Sequence, residues 1–250
     1  MAKLRKPGIK RSEGVHEAIE RVWPSGVVEM KFDADESYFW DIYPKLATSI
    51  QRLKGAELVH ERKPEGGPIW FDESDPDEDP PDDQERSRSY HLFFVCPEGE
   101  AFTYDVELDG LADPDDEEGP RGTVSGKGRN GWSVSVSLLA PFAVITFGDM
   151  EIFDDGSTSE PCIESIVFTD SGKPFDLEAE FTKAWGEPVF EIFLKLRGRI
   201  CEILAKNGIG VLPEEEWRKP VPGLRADEEV LLDHPGGPVR VLDALFFEGL

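Results

Sequence analysis

Hydrophobic residues recur at three- and four-residue steps in one early stretch of the chain, and this spacing predicts an amphipathic helix. Asp35 or Ser37 can cap its start, and Gly55 follows its end near Leu53. Pro44 either falls inside this helix or marks a second helical start, because proline lacks the backbone N–H that a helix interior uses. The apolar positions are Phe39, Ile42, Leu46, Ile50 and Leu53.

A second stretch with helical spacing lies in the C-terminal third. Pro188 suits the first turn of a helix over Val189–Lys206, and Asn207-Gly208 is a typical helix end. A shorter helix is expected over residues 174–185. The apolar stripe of the longer helix consists of Val189, Ile192, Phe193, Leu196, Ile200, Ile203 and Leu204.

The middle of the chain alternates between apolar and polar residues, which is typical of half-buried strands. Pro97–Glu100 and Asp155-Gly156 are typical of hairpin turns, and residues 212–222 should be extended. The pattern predicts an α+β fold, with an antiparallel sheet of about five to seven strands packed with an N-terminal helix and a long C-terminal helix. The predicted strands are Val27–Phe32, Ala56–Glu61, Tyr90–Cys96, Ala101–Leu108, Trp132–Leu139, Ala143–Phe147, Met150–Phe153, Cys162–Phe168, Val230–Leu232 and Val239–Phe247.

The ends of these patterns also predict the organisation of the chain. Residues 1–25 are expected to form a flexible basic arm, and residues 26–250 a single α+β domain. That domain carries two acidic loop inserts, at 72–88 and 112–121, the first of which contains DESDPDEDPPDD. Like charges repel and proline removes backbone donors, so both segments should lie outside the sheet.

The balance of charge narrows the choice of partners. The chain has 52 acidic and 27 basic residues, a formal net charge of −25 at pH 7. A field of this sign repels nucleic acid and anionic membranes and attracts basic molecules. We therefore expect a basic protein partner, no nucleic acid and no membrane. The composition does not indicate an oligomeric state, and solubility alone explains the acidity equally well.

The number and spacing of the cysteines help to predict the cellular compartment. Cys96, Cys162 and Cys201 are odd in number and widely spaced, so they predict no disulfide framework and a reducing environment. The basic N-terminus has no apolar run after it, and no stretch approaches the roughly 18 apolar residues of a membrane span. These features predict a soluble, cytoplasmic protein.

The acidic inserts invite comparison with calcium loops. Asp75, Asp77 and Asp79 match the first three ligand positions of an EF-hand, but Pro80 stands where glycine must turn and Arg86 where a bidentate glutamate is needed. Zinc fits no better, because none of the histidines has a His or Cys partner at ligand spacing. We expect no metal and no cofactor. The histidines are His16, His60, His91 and His234.

No motif predicts catalytic residues. Residues 122–128 resemble a phosphate-binding loop, but the glycines are too close and Gly128 replaces the Ser or Thr that holds magnesium, so a flexible basic turn is the better interpretation. Cys96 and Cys201 lie among apolar neighbours, as buried structural cysteines do. No serine lies in a GxSxG motif.

Aromatic residues next to acidic ones are the better candidates for a binding site. Trp70-Phe71 directly precedes the first insert, and aromatic anchors ringed by charge make good interface hot spots. For any single aromatic residue, core packing is the commoner role. The candidate partner-binding residues are Trp70, Phe71, Asp72, Asp75, Asp77, Asp79, Asp82, Asp83, Asp115 and Glu117.

The general character of the chain carries one resemblance. It has a helix start of the type Trp185-Gly186-Glu187-Pro188 and the acidic segment 212–217, LPEEEW. In these features and in its acidity it resembles the immunity proteins of bacterial polymorphic toxin systems. The resemblance implies a non-catalytic protein that neutralises a basic toxin by stoichiometric binding. Two alternatives stay open: an enzyme with a carboxylate metal site assembled from distant residues, and an accessory subunit of a larger assembly.

Overall fold

The structure is a computed structural model that describes residues 14–29, 37–62, 89–108, 124–154, 158–159, 186–227, 230–231, 238–246 and 248–249. The helices in these residues are α1 (Val15–Val22), α2 (Phe39–Gln51), α3 (Glu187–Lys206), α4 (Glu214–Trp217) and α5 (Val241–Leu245). The strands are β1 (Val27–Val28), β2 (Ala56–Arg62), β3 (Tyr90–Pro97), β4 (Thr103–Leu108), β5 (Val124–Ser137), β6 (Phe142–Phe153), β7 (Thr158–Ser159), β8 (Gly210–Val211), β9 (Arg225–Ala226), β10 (Val230–Leu231) and β11 (Glu248–Gly249).

The main sheet is organised around β5. Along one side β5 pairs with β3 and β4, which lie end to end, and along the other side it pairs with β6. β2 pairs with the outer side of β3, whereas β7 and β8 pair with β6. All of these pairs are antiparallel except β6 with β8. Two small separate pairs, β1 with β9 and β10 with β11, complete the described strands. The α+β prediction is confirmed.

The helices α2 and α3 cover one side of this sheet, which we call face 1. Trp132, Val134 and Val136 of β5 point to face 1, as do Phe93 and Val95 of β3, because alternate residues of a strand share a face. Burying each of these large side chains contributes roughly 2 kcal/mol to stability. The helix residues packed on them include Phe39, Leu46, Ile50, Phe193, Leu196, Ile200 and Leu204.

The opposite side of the sheet, face 2, carries a second core at one end. Tyr90 and Leu92 of β3 and Val144 of β6 pack there against α1, α4 and α5. The hydroxyls of Ser89 and Ser137 both donate to the carbonyl of Leu245, at 3.3 and 2.8 Å, and so tie α5 to the sheet. The residues of the three helices in this core include Ala18, Ile19, Trp217, Val241, Leu242 and Leu245.

The prediction of a flexible arm over residues 1–25 is wrong for residues 14–25. Residues 15–22 form α1, and its buried Ile19 and the buried Trp23 that follows it belong to the second core. The indole N–H of Trp23 donates to the carbonyl of Ala244 at 2.8 Å, which anchors this segment to α5. Residues 1–13 lie outside the described residues.

The predicted hairpin between β3 and β4 is also wrong. Both strands pair with β5, so residues 97–102 bend one line of strand instead of reversing the chain. A single 3-10 turn, Glu100–Phe102, forms the bend, and it places the buried ring of Phe102 edge-on to Phe193 at 5.4 Å. Core burial of Phe102 therefore overrides the local turn signal of Pro97–Glu100.

Three further predictions need correction. Residues 124–128 are part of β5 and not a flexible turn. Residues 241–245, expected within a strand, form α5, and β10 pairs instead with residues 248–249. The extended segment 212–222 contains the short helix α4. The predicted strand 162–168 and helix 174–185 lie outside the described residues.

The two main helices agree with their predictions. α3 ends at Lys206 as expected, and α2 contains Pro44 within one continuous helix. The start of α2 is held by Ser37, whose hydroxyl accepts from the backbone N–H of Phe39 at 3.1 Å and donates to the carbonyl of Leu138 at 2.5 Å.

Candidate functional site

The candidate partner-binding residues all lie outside the described residues, but the structure shows where their segments join the sheet. Residues 63–88 connect β2 to β3, and residues 109–123 connect β4 to β5. The residues concerned are Trp70, Phe71, Asp72, Asp75, Asp77, Asp79, Asp82, Asp83, Asp115 and Glu117.

The two acidic segments join the sheet at opposite ends of β5. Arg62 is in register with Leu92, which pairs with Ser135, whereas Leu108 pairs with Val124. These positions on β5 are eleven residues apart. At about 3.3 Å per residue, the attachment points are separated by roughly 36 Å along the strand, several times the Debye length of about 8 Å at physiological ionic strength. The two connections therefore join the sheet at well-separated points.

Next to the β4–β5 connection, face 2 carries an open groove of about 710 Å³, which we call the acidic groove. Its carboxylates outnumber its bases by four to two. Ile152, 36% exposed, adds an apolar contact. A volume of this size accommodates a long side chain or a short peptide segment. The lining residues are Glu57, Val59, Glu100, Thr103, Tyr104, Asp105, Lys127, Arg129, Ile152, Phe153 and Asp154.

Both bases of the acidic groove already have acidic partners. Arg129 Nη1 lies 2.5 Å from Glu57 Oε2, and Lys127 donates to Asp105. The hydrogen bond and charge of Asp105, with the charges of Asp154 and Glu100, raise the pKa of Lys127 above its ordinary value. Each base is thus paired with a carboxylate, and Glu100 and Asp154 give the groove an excess of negative charge that favours a further cation.

A partly buried polar cluster lies on face 1, at the opposite end of the sheet. His91 Nε2 is 3.0 Å from Glu61 Oε1, and the hydroxyl of Tyr43 donates to the same oxygen at 2.5 Å. Burial and then the hydrogen bond and charge of Glu61 raise the pKa of Tyr43 to about 12. The His91 ring is fully buried and contacts the rings of Phe39 and Phe93, with centroids 4.9 and 4.5 Å away.

Glu61 of this cluster directly precedes Arg62, and the first acidic connection begins after Arg62. Glu61 is enclosed between Tyr43 and His91, with 18% of its side chain exposed. Such a network fixes the end of β2 against α2 and so fixes where residues 63–88 leave the fold.

The thiols and acids of the described residues form no metal centre there. No group of three or more His, Cys, Asp or Glu in the described part of the chain is arranged to hold a metal ion. Cys96 is fully buried, and burial raises the pKa of its thiol to about 12. Cys96 and His91 lie on β3 but on opposite faces, as their spacing predicts. Cys201 is only half-buried.

Sequence reasoning missed the acidic groove. Its signal was present, because Lys127 and Arg129 alternate with Gly126 and Gly128 and would share a face if the segment were a strand. Interpreting the segment as a turn removed that signal. The pairing of Arg129 with Glu57 depends on long-range strand order, which local patterns do not reveal.

Comparison with known proteins adds no relative. No protein-family model, curated protein or solved structure matches the chain. Among the described helices, none combines the length and apolar character required to cross a membrane.

Proposed function

We propose that this chain is a stoichiometric binding protein for a basic protein partner, and that it acts as an immunity-type antagonist of a basic toxin. The observation that carries the proposal is the acidic groove, a concave surface with four carboxylates, two bases and an exposed apolar side chain. The net charge of −25 extends the same negative potential over the molecule.

The groove suits a lysine or arginine side chain of the partner. Arg129 and Lys127 are paired with Glu57 and Asp105, so an added cation meets the remaining carboxylates, Glu100 and Asp154. Ile152 and Val59 can contact the methylene stem of such a side chain. Complementary charge of this kind raises the association rate more than it slows dissociation.

The acidic connections extend the proposed surface. Trp70 and Phe71 in the first connection act as candidate anchors, and the aspartates after them as candidate steering charges. The points where the two connections join the sheet are roughly 36 Å apart along β5. We also propose a cytoplasmic location, which the free thiols of Cys96 and Cys201 support.

The proposal is tested by co-purification from the native host at moderate salt, followed by kinetics with the captured partner. A basic protein captured at equal stoichiometry is the expected result. The variant E100Q/D154N neutralises the two carboxylates of the groove that do not pair with its bases. The matched control E202Q/E215Q removes the same charge from exposed positions on α3 and α4.

Comparison of the two double variants separates the effect of charge inside the groove from the effect of net charge. The groove variant should lower the association rate several-fold at low salt, whereas the control should change it much less. Equal effects would show that only net charge matters and would remove the groove from the proposal. Failure to capture any basic partner would contradict the proposed function itself.

A further inference from the structure

The outer edge of β4 presents backbone groups in a defined pattern. The backbone N–H of Asp154 donates to the carbonyl of Ser125 at 2.9 Å, so Ser125 directs its backbone groups toward β6. Because directions alternate along a strand, Gly126 directs its groups toward β4 and bonds Val106, its partner in the register. Asp105 and Glu107, on either side of Val106, therefore direct their N–H and C=O groups away from β5.

These outward groups have no hydrogen-bond partner among the described residues of the chain. Thr103 lies on the same edge two residues before Asp105, but its N–H donates to the carbonyl of Glu100 in the preceding turn. The space beside β4 is the one that a prolongation of β2 would fill, because β2 borders β3 and β3 is in line with β4. One more strand would continue the sheet there.

The charges along this edge select what can pair with it. Asp105 and Glu107 are exposed, and both side chains point to face 2, beside the acidic groove. Like charges oppose pairing of this edge with a second copy of itself, a common protection of edge strands. The same charges favour an extended segment that carries lysine or arginine.

We propose that β4 receives an extended basic segment of the protein partner as an additional strand, with lysine or arginine at alternate positions directed to face 2. The inference rests on the proposed function and adds the mode of binding. Backbone hydrogen bonds to Asp105 and Glu107 hold the segment, and its basic side chains lie beside the carboxylates of Glu107 and Glu100. Strand addition of this kind obtains affinity from the backbone and specificity from alternate side chains.

Two variants at position 107 separate the contribution of the side-chain charge from that of the backbone N–H. Glu107→Gln removes the charge and keeps the outward N–H, whereas Glu107→Pro removes both. Proline is tolerated at an edge when its N–H would face outward, so the β4–β5 ladder should survive, which far-UV circular dichroism checks. We expect E107P to bind the captured partner about tenfold more weakly than E107Q, because a backbone hydrogen bond and close approach are lost. Equal affinities of a folded E107P and E107Q would overturn strand addition and leave the proposed function standing.

A peptide probe tests the edge without the partner and without any change in the protein. The probe is a short peptide of alternating lysine and threonine, together with two derivatives N-methylated at either the lysines or the threonines. Anisotropy titration of the unaltered protein should show binding of the parent peptide, about tenfold weaker binding of one derivative and nearly unchanged binding of the other. Equal binding of all three would show attraction by charge alone and would overturn strand addition, and so would the absence of any binding at low salt.

Discussion

The ring of Tyr104 lies across Gly128 on the neighbouring strand, in the space that a Cβ atom at position 128 would occupy. The Tyr104 hydroxyl reaches past the glycine to donate to Asp149 on β6 at 2.9 Å. Three strands, β4, β5 and β6, are thus joined on face 1, on the other side of the sheet from the acidic groove. This contact explains why a glycine-rich segment forms a regular strand, since the aromatic ring covers the backbone that glycine leaves bare.

Alanine substitutions at two glycines of β5 should lower the free energy of unfolding by different amounts. A Cβ at position 126 would lie 2.6 Å from the carbonyl oxygen of Ile152, which is backbone and cannot easily move. At position 128 the obstacle is the Tyr104 side chain, which can swing away at the loss of its hydrogen bond to Asp149. We expect Gly126→Ala to destabilise the fold by about 2–3 kcal/mol and Gly128→Ala by about 1 kcal/mol. Urea unfolding measures both, and the reverse order would contradict this account of the contacts.

The ion pair at the start of α5 should be essential for stability. Arg240 Nη2 lies 2.8 Å from Asp243 Oδ1 with only 12% and 7% of the side chains exposed, and Asp243 Oδ2 also accepts the backbone N–H of Arg240 at 2.7 Å. Asp243→Ala removes this ion pair and the acceptor of the Arg240 N–H, and it should cost about 2–3 kcal/mol in thermal or urea unfolding. The exposed pair of Glu191 with Lys195 provides the control, because Glu191→Gln should leave the unfolding midpoint unchanged. Similar losses in both variants would contradict the role of burial.

Local sequence patterns predicted the long helices, whereas elements that depend on contacts between distant parts of the chain were not predicted. The helices α2 and α3 were predictable because their apolar spacing is local and extends over several turns. The signal of α1 was also present, in the spacing of Val15, Ile19 and Val22, but it is short. Residues 241–245 were predicted as a strand because all of them face the core, which conceals the helical period.

The candidate site was less predictable than the fold. Glu57 and Arg129 are far apart in sequence and meet only because β3 and β4 share β5 as a partner. A local turn signal at Pro97–Glu100 cannot reveal that the chain continues along the same line of strand. Charge composition indicated the sign of the proposed binding surface, but the position of the acidic groove depends on that strand order.

The indole of Trp132 should stabilise the packing of α3 on the sheet by more than the burial of its apolar surface alone provides. Its N–H donates to the carbonyl of Phe193 at 2.9 Å, and its ring meets Phe147 edge-on at 5.4 Å. Trp132→Phe removes the hydrogen bond and leaves a cavity, so it should lower the free energy of unfolding by about 2–3 kcal/mol. Trp40→Phe, at a half-buried position on α2, should cost less in the same urea titration. An equal loss in the two variants would contradict the special role of Trp132.

Tyr43 should make the fold sensitive to alkaline pH. Burial, followed by the hydrogen bond and charge of Glu61, raises the pKa of Tyr43 from 10.0 to about 12. Because the folded pKa is above the unfolded one, this contribution is fully present below pH 10 and is lost as the pH rises through 12. Cys96 adds a loss of the same sign, since burial raises its pKa from 9.0 to about 12.

The contribution of Tyr43 can be isolated with Tyr43→Phe, which has no proton to lose. At neutral pH this variant should be less stable than the wild-type protein, because Glu61 loses a hydrogen bond. Between pH 10 and 12 its stability should fall less steeply, with the remaining slope due partly to Cys96. Urea unfolding at a series of pH values gives both slopes. Identical slopes would mean that the Tyr43 hydroxyl titrates at its ordinary pKa and that its hydrogen bond to Glu61 does not persist in solution.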